Sequence, residues 1–316
     1  MASFIDVSNV TYSGKEIQDI FSKDFYDIDL RGYGVTFLDG VKGKTKIYDG
    51  QIGDLWQPYT CAFDPKGSVV INESWIEPAE ISISLEECYD KYWNTFLVDQ
   101  TSISLNGGIP QTFADWFFAK LRQKMSAEYQ EIFWKGDTGY TGTSKAYLKV
   151  TDGVEAQLEA NTGVTKITGS VFTVANVLSQ VEAAISAAQA QAAAGDIPTD
   201  NYKVMMNYND VRLLVQALGA SCCPNNQSIF SNYAKGANGE VYIFGYEVVP
   251  TKQSRNTVIV GPIANLVLGF DTFDSHMEYK FIDMRNTTGD NAFRIRAISN
   301  LAAGIVFPEL FVFSRP

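Results

Sequence analysis

Between Phe113 and Lys135 the apolar residues Phe113, Phe117, Leu121, Met125, Tyr129 and Ile132 recur at spacings of four, four, four, four and three. That spacing draws one stripe along a helix; a strand, whose faces alternate every second residue, cannot hold it. Pro110 precedes the segment, Thr112 and Asp115 supply a capping-box-like start that satisfies first-turn amides, and Gly136 ends it. At 1.5 Å per residue the helix spans about 35 Å, long for a single globular domain. Lys120, Arg122 and Lys124 form a dense basic group and read as a solvated face or a partner-binding one.

The chain before this helix behaves differently. Residues 1 to 30 contain a short amphipathic stretch, Glu16 to Phe25, with Ile17, Ile20, Phe21 and Phe25 on one helical face. It is too short to be stable unless it docks on something. From Tyr33 to Ile83 short alternating strands are broken by Asp39-Gly40, Gly43, Asp49-Gly50, Gly53-Asp54 and Asp64-Pro65-Lys66-Gly67. Such a hairpin-like excursion has few positions for a core of its own. Trp56, Tyr59, Phe63, Val69, Val70 and Ile71 are expected to be exposed within one chain and buried against another subunit.

Composition agrees with burial between chains. Of 316 residues, 46% are hydrophobic, 13% aromatic and only 19% charged, which excludes a disordered or coiled-coil protein. The length allows one large or two modest domains. The net charge of −11 opposes general attraction to nucleic acid or anionic lipid. Residues 1 to 110 hold 8 Lys/Arg against 17 Asp/Glu, net −9, whereas residues 111 to 316 hold 17 against 19, net −2. The N-terminus lacks a basic segment followed by an apolar run, and no stretch approaches the ~20 apolar residues of a membrane span. Cys61, Cys88, Cys222 and Cys223 lack metal or redox spacing and are expected to be reduced in a cytosol-like setting.

No arrangement of residues builds an enzyme. His276 is the only histidine, so any catalytic triad or multi-histidine zinc site would have to use it; in Asp274-Ser275-His276-Met277-Glu278 it reads as a strand-end imidazole. In Gly32-Tyr33-Gly34-Val35-Thr36-Phe37, Phe37 stands where a dinucleotide loop needs its third glycine, and Leu38 stands where a P-loop around Gly43-Lys44-Thr45 needs its first. Both read as hairpin turns. Glu73, Glu77, Glu80, Glu86, Glu87 and Asp90 follow no cation-loop spacing; with Ile81, Ile83 and Leu85 alternating, they mark the polar face of a strand. No catalytic, cofactor-binding or metal-ligating residue is expected.

After the long helix come a Gly/Thr-rich region, residues 137 to 170, and an alanine-rich helix marked by Val174, Val177, Leu178, Val181 and Ile185 that runs to Gly195. A strand, Tyr202 to Met206, leads through an Asn209 cap into a helix, Asp210 to Leu218, closed by Gly219. Strand-like runs follow at Val241 to Phe244, Tyr246 to Val249, Thr257 to Val260, Leu266 to Gly269 and Tyr279 to Met284. Phe293, Ile295 and Ala297 alternate with Arg294 and Arg296, and the chain ends in the apolar Ile305 to Phe313, a strand expected inside a sheet.

This order resembles the major capsid proteins of tailed phages, the Hong Kong 97-type fold. The resemblance is carried by the long helix leaving through Ile132-Phe133-Trp134-Lys135-Gly136-Asp137, by Lys203-Val204-Met205-Met206-Asn207 followed by a helix and Phe244-Gly245-Tyr246-Glu247-Val248-Val249-Pro250, and by Arg294-Ile295-Arg296 running into Phe307-Pro308 and Phe311-Val312-Phe313. It implies an α+β fold with an N-arm over residues 1 to 30, an E-loop hairpin over 31 to 80, a P-domain over 81 to 145 and 290 to 316 with its spine helix at 113 to 135, and a mixed α/β A-domain over 146 to 289.

The resemblance also implies a shell subunit that assembles with itself into hexamers and pentamers of an icosahedral head, encloses a genome and resides in the virion after assembly in the host cytoplasm. A portal and separate scaffolding or decoration proteins would be its partners, with packaged DNA touched only weakly and no membrane. In that family the E-loop lies across the neighbouring subunit. Contacts between subunits are therefore expected at Lys42, Lys44, Lys46, Trp56, Tyr59, Phe63, Glu73, Glu77, Glu80, Lys120, Arg122 and Lys124. Lys42, Lys44 and Lys46 lie near an expected hairpin tip, but no motif identifies the partner of a lysine-asparagine cross-link. An encapsulin-type shell holding a cargo enzyme, and an acidic α+β hydrolase built around His276, are the alternatives.

Overall fold

The computed structural model describes residues 32–41, 43–52, 56, 59, 68–89, 124–125, 127–195, 197–221, 241–270, 280–286 and 288–316. It is a mixed α/β structure with few helices and three sheets among these residues.

The first sheet is built on its longest strand, β12 (Ala292–Ile305). On one side β12 pairs antiparallel with β4 (Ala79–Cys88) through ten positions, from Ala292 opposite Cys88 to Leu301 opposite Ala79. On the other it pairs with β11 (Lys280–Asp283) and then β10 (Leu266–Phe270), which β1 (Thr36–Asp39) joins in parallel. β4 alternates as its sequence predicts: Ile81, Ile83 and Leu85 are half-buried and Glu80, Ser82, Ser84 and Glu86 are exposed. The first half of β12 also alternates, with Arg294 and Arg296 outward, but Leu301 to Ile305 are all buried because both faces are covered there.

The second sheet has six strands in the order β5 (Thr165–Thr168), β13 (Val312–Arg315), β9 (Val258–Pro262), β6 (Tyr202–Asn207), β8 (Tyr246–Thr251) and β7 (Val241–Ile243). Its central residues, among them Val204, Met205, Met206, Val258, Ile259 and Val260, are fully buried, so neither face meets water. Val204, Met206, Val258 and Val260 pack against α3 (Val177–Ala194) and α4 (Tyr208–Ser221). On α3 the inward residues Ala184, Ala188 and Ala192 are small, which brings the helix close to the strands. Met205, Ile259, Phe311 and Phe313 join the core that contains α2 (Val154–Ala160), the end of α1 (residues 124–125 and 127–135) and β12.

The third sheet is a hairpin, β2 (Thr45–Ile52) with β3 (Val69–Ile76), paired from Thr45 opposite Ile76 to Ile52 opposite Val69. Pro78 follows, and its missing N–H separates this ladder from β4. The hairpin is pinned at its root: Ile76 is buried with Val267 and Ala302, over Gly304, where an added Cβ would lie 2.6 Å from Ile76 Cδ1.

Several local expectations change. β1 pairs with β10 and β2 with β3, so Gly43 connects two different sheets and Gly32-Tyr33-Gly34 is a helical turn into β1; neither is a hairpin turn. α4 begins at Tyr208, because the Asn207 carboxamide accepts from the Asn209 amide at 3.0 Å, and it continues through Gly219. The apolar C-terminus is two strand ends separated by a short 3-10 turn, Pro308–Leu310: Ile305 closes β12 in one sheet and Val312 opens β13 in the other. Strand pairing also runs across the expected divisions, since β10 and β11 pair with β12, and β13 pairs with β5 and β9.

Candidate assembly surface

The long helix ends in a buried joint. Tyr129 and Ile132 lie on the expected apolar stripe and are buried, but so are Phe133 and Trp134 beside it, their rings 5.2 Å apart and edge to face. Three consecutive buried residues span more than the one apolar stripe, so the helix end is covered on more than one face. Gly136 makes this possible: a Cβ there would lie 2.3 Å from the Thr151 carbonyl oxygen, and one at Gly153 would lie 2.6 Å from that of Ile132. The Gly153 amide donates to the Gly136 carbonyl at 2.8 Å, joining the exit of α1 to the start of α2.

Charges surround this joint. Glu131 accepts from Lys145 Nζ at 2.7 Å and from the Tyr147 hydroxyl at 2.5 Å. Partial burial pushes Glu131 upward, but these donors and Lys135 outweigh it and hold it below the usual carboxylate range. Tyr147, partly desolvated and donating to that carboxylate, is pushed above the usual phenol range. Burial lowers Lys135 against the pull of Glu131 and Glu155. Glu155 is buried and shifted upward by desolvation, although the Ser254 amide donates to it.

Ser254 belongs to the loop joining β8 to β9, which a polar network fixes. Gln253 is fully buried; its Nε2 donates to the Met205 and Thr257 carbonyls at 3.1 and 2.7 Å, and its own carbonyl accepts from Asn207 Nδ2 at 2.5 Å. Asp210, also fully buried, accepts from the Asn256 amide at 2.7 Å.

The hairpin is the opposite case. Trp56 and Tyr59 are 97% and 91% exposed, and Ile71 and Trp75 are also exposed. For Trp56, Tyr59 and Ile71 this matches the sequence reading; Phe63 and the side chains of Val69 and Val70 lie outside the described residues. Trp75 escaped that reading, though it shares Ile71's parity on β3. Lys44 and Lys46 lie over its ring at 5.2 and 4.7 Å from the centroid. The register corrects their expected position: Thr45 stands opposite Ile76, so these lysines are at the hairpin's root, and the connection between β2 and β3 runs through residues 53–68.

The remaining expected contact residues are scattered. Lys44 pairs with Glu77 at 3.6 Å in the open, and Glu80 is exposed on β4 opposite Asn300. Lys124 is exposed and pairs with Glu128 at 3.0 Å along the helix. Glu86 meets Arg294 at 2.6 Å, both about half exposed, a pair of small energetic weight. Lys42, Lys120, Arg122, Asp90 and His276, and the side chain of Glu73, lie outside the described residues. Among the described residues no group of three or more His, Cys, Asp or Glu side chains could hold a metal ion, and no helix is long and apolar enough to cross a membrane. Cys88 is free and exposed.

No protein-family model and no curated protein matches the chain. Solved structures do. A chain of the satellite phage P4 procapsid including the size determination (Sid) protein superposes with a TM-score of 0.61 at 10% identity, covering 95% of this chain and 98% of that one. The capsid of Myoviridae phage XM1 gives 0.55 at 10% identity and 99% of both chains. The capsid of a native GTA particle gives 0.54 at 9% identity, with 91% of this chain and 89% of that one. With near-complete coverage in both directions, the chain has the fold of phage capsid proteins.

Proposed function

We propose that this chain is a major capsid protein, a structural subunit that assembles with copies of itself, as hexamers and pentamers, into the icosahedral head of a tailed phage. The observation that carries the reading is the hairpin. A two-stranded ribbon is marginal by itself in water, yet this one leaves Trp56, Tyr59, Ile71 and Trp75 exposed. That apolar surface fits burial against a neighbouring copy, as in the E-loop of the family the sequence resembles. Residues 1 to 30 would act as an N-arm, the β4–β12 sheet and α1 as the P-domain, and the six-stranded lobe as the A-domain.

The acidic first third would lie on the less acidic remainder of its neighbour, a complementarity that sets register more than affinity. The net negative charge suits a container that holds its DNA weakly. A portal and separate scaffolding or decoration proteins would complete the head, assembled in the host cytoplasm. No step of this role needs a catalytic residue.

Negative-stain microscopy of the expressed chain, alone and with the scaffolding protein of its gene neighbourhood, tests the reading. Closed shells or rings are expected. A compact monomer with a radius of gyration near ~20 Å under every condition would reject it. Portal and terminase genes beside this gene would favour a phage head, and a cargo-enzyme gene an encapsulin-type shell.

A further inference from the structure

Two features at opposite ends of β8 remain unexplained by the fold. At its start, β7 and β8 are joined by a two-residue turn, Phe244-Gly245, with φ of 49° and 88°. Positive φ at both central positions is the type I′ pattern, for which Asn-Gly is the favoured sequence, and a bulky residue pays a steric cost there. Phe244 nevertheless occupies the first position and is 46% exposed. The turn is rigidly backed: Ile243 and Tyr246 are buried, and the Tyr246 hydroxyl lies 3.1 Å from Thr199 Oγ1 and accepts from Gln189 Nε2 at 3.2 Å. Strained residues that display a side chain tend to sit where the display is used.

At the other end of β8, roughly 20 Å away at 3.3 Å per residue, a pocket of about 190 Å³ opens to solvent between Tyr33, Gln130, Trp134, Tyr208 and the Pro250-Thr251-Lys252 segment. A cavity of about 150 Å³ accepts benzene, so this one has room for a benzyl group. Three of its walls, Tyr33, Trp134 and Tyr208, are aromatic, and Lys252 adds a cation able to attract a ring face. The Gln253 and Asp210 networks hold the adjoining loop, so the pocket needs little ordering before it is filled.

We propose that Phe244 of one copy docks into the pocket at Trp134, Tyr208 and Lys252 of the next. A knob and a pocket at opposite ends of one strand cannot meet within a chain. Because the two surfaces are unlike, the contact is heterologous, and its repetition closes a ring when the rotation permits. The contact rests on the shell reading and specifies one interface within it.

Two measurements on the full chain test it. A p-benzoylphenylalanine residue at position 244, in particles assembled from mixed heavy- and light-isotope chains, should cross-link to Trp134, Tyr208 or Lys252 of a different chain; adducts only elsewhere would overturn the contact. Phe244→Asn suits the turn, so its thermal midpoint should equal or exceed the wild type's while subunit association falls about tenfold or more, the signature of a buried aromatic anchor. Unchanged association of Phe244→Asn overturns the contact even if the photo-reactive chain fails to assemble. Wild-type chain that never associates overturns the shell reading and this contact together, whereas wild-type particles with unaltered Phe244→Asn assembly overturn this contact alone.

Discussion

The β2–β3 hairpin and the six-stranded lobe are made of the same kind of segment, short strands punctuated by glycine turns, yet their side chains meet opposite fates. In the lobe, Val204, Met206, Val258 and Val260 are sealed under two helices, and the loop after β8 is held by the buried Gln253, which bonds the Met205 and Thr257 carbonyls. Among the hairpin's described side chains, Ile76 is buried at the root with Ile47 packed against it, whereas Trp56, Tyr59, Ile71 and Trp75 are exposed. Strand pairing by itself therefore decides nothing about burial. What differs is whether another element of the same chain lies over the face.

The contrast predicts a graded response to mutation. Phe311, fully buried beside Gly261, should tolerate truncation least: Phe311→Ala is expected to cost about 3–5 kcal/mol in denaturant unfolding, and a loss below ~1 kcal/mol would mean that Phe311 is not enclosed in the core shared with α1, α2 and β12. Gln253→Leu removes the donor shared by the Met205 and Thr257 carbonyls and should cost about 1–3 kcal/mol.

Protonation probes the joint between α1 and the lobe. Glu155 is raised in the fold above the ordinary 4.5, so the folded state holds its proton more tightly than the unfolded state does. Its contribution is full below about 4.5 and is lost as pH rises through the folded value; Glu155→Gln should abolish that loss in urea midpoints measured across the range. Glu131, lowered by Lys145 and Tyr147, has the opposite sign: its contribution is present above 4.5 and is lost as pH falls through the folded value. The smallest stability effect belongs to the hairpin. Trp56→Ser with Tyr59→Ser should shift monomer stability by no more than about 0.5 kcal/mol while impairing particle formation. A large stability loss would show that these rings are buried within their own chain and would erase the contrast.

Periodic features were readable in advance. The alternation of β4, the alanine-rich helix ending at Gly195, the β6 strand and the exposure of Trp56, Tyr59 and Ile71 all follow from local spacing and from the lack of nearby core formers. Features depending on a distant partner were not. Phe133 and Trp134 lie beside the stripe of their own helix and are buried because α2 and β12 enclose its end. Lys44 and Lys46, close in sequence to an expected tip, stand at a root because Thr45 pairs with Ile76. Trp75 was legible only through its parity with Ile71 on β3.

What the sequence determined by itself is the kind of each segment, since helix and strand periods and their glycine and proline stops are local, together with the acidity of its first third and the excess of aromatics over the core its hairpin could form. Only the tertiary structure decided which sheet each strand joins. Residues 305 and 312 are seven positions apart and belong to two different sheets, because a short 3-10 turn carries the chain from one to the other and the partners that receive each strand, β10 and β9, lie far back along the chain. Pairing is a long-range choice made by whichever burial is jointly available, and no local pattern encodes it.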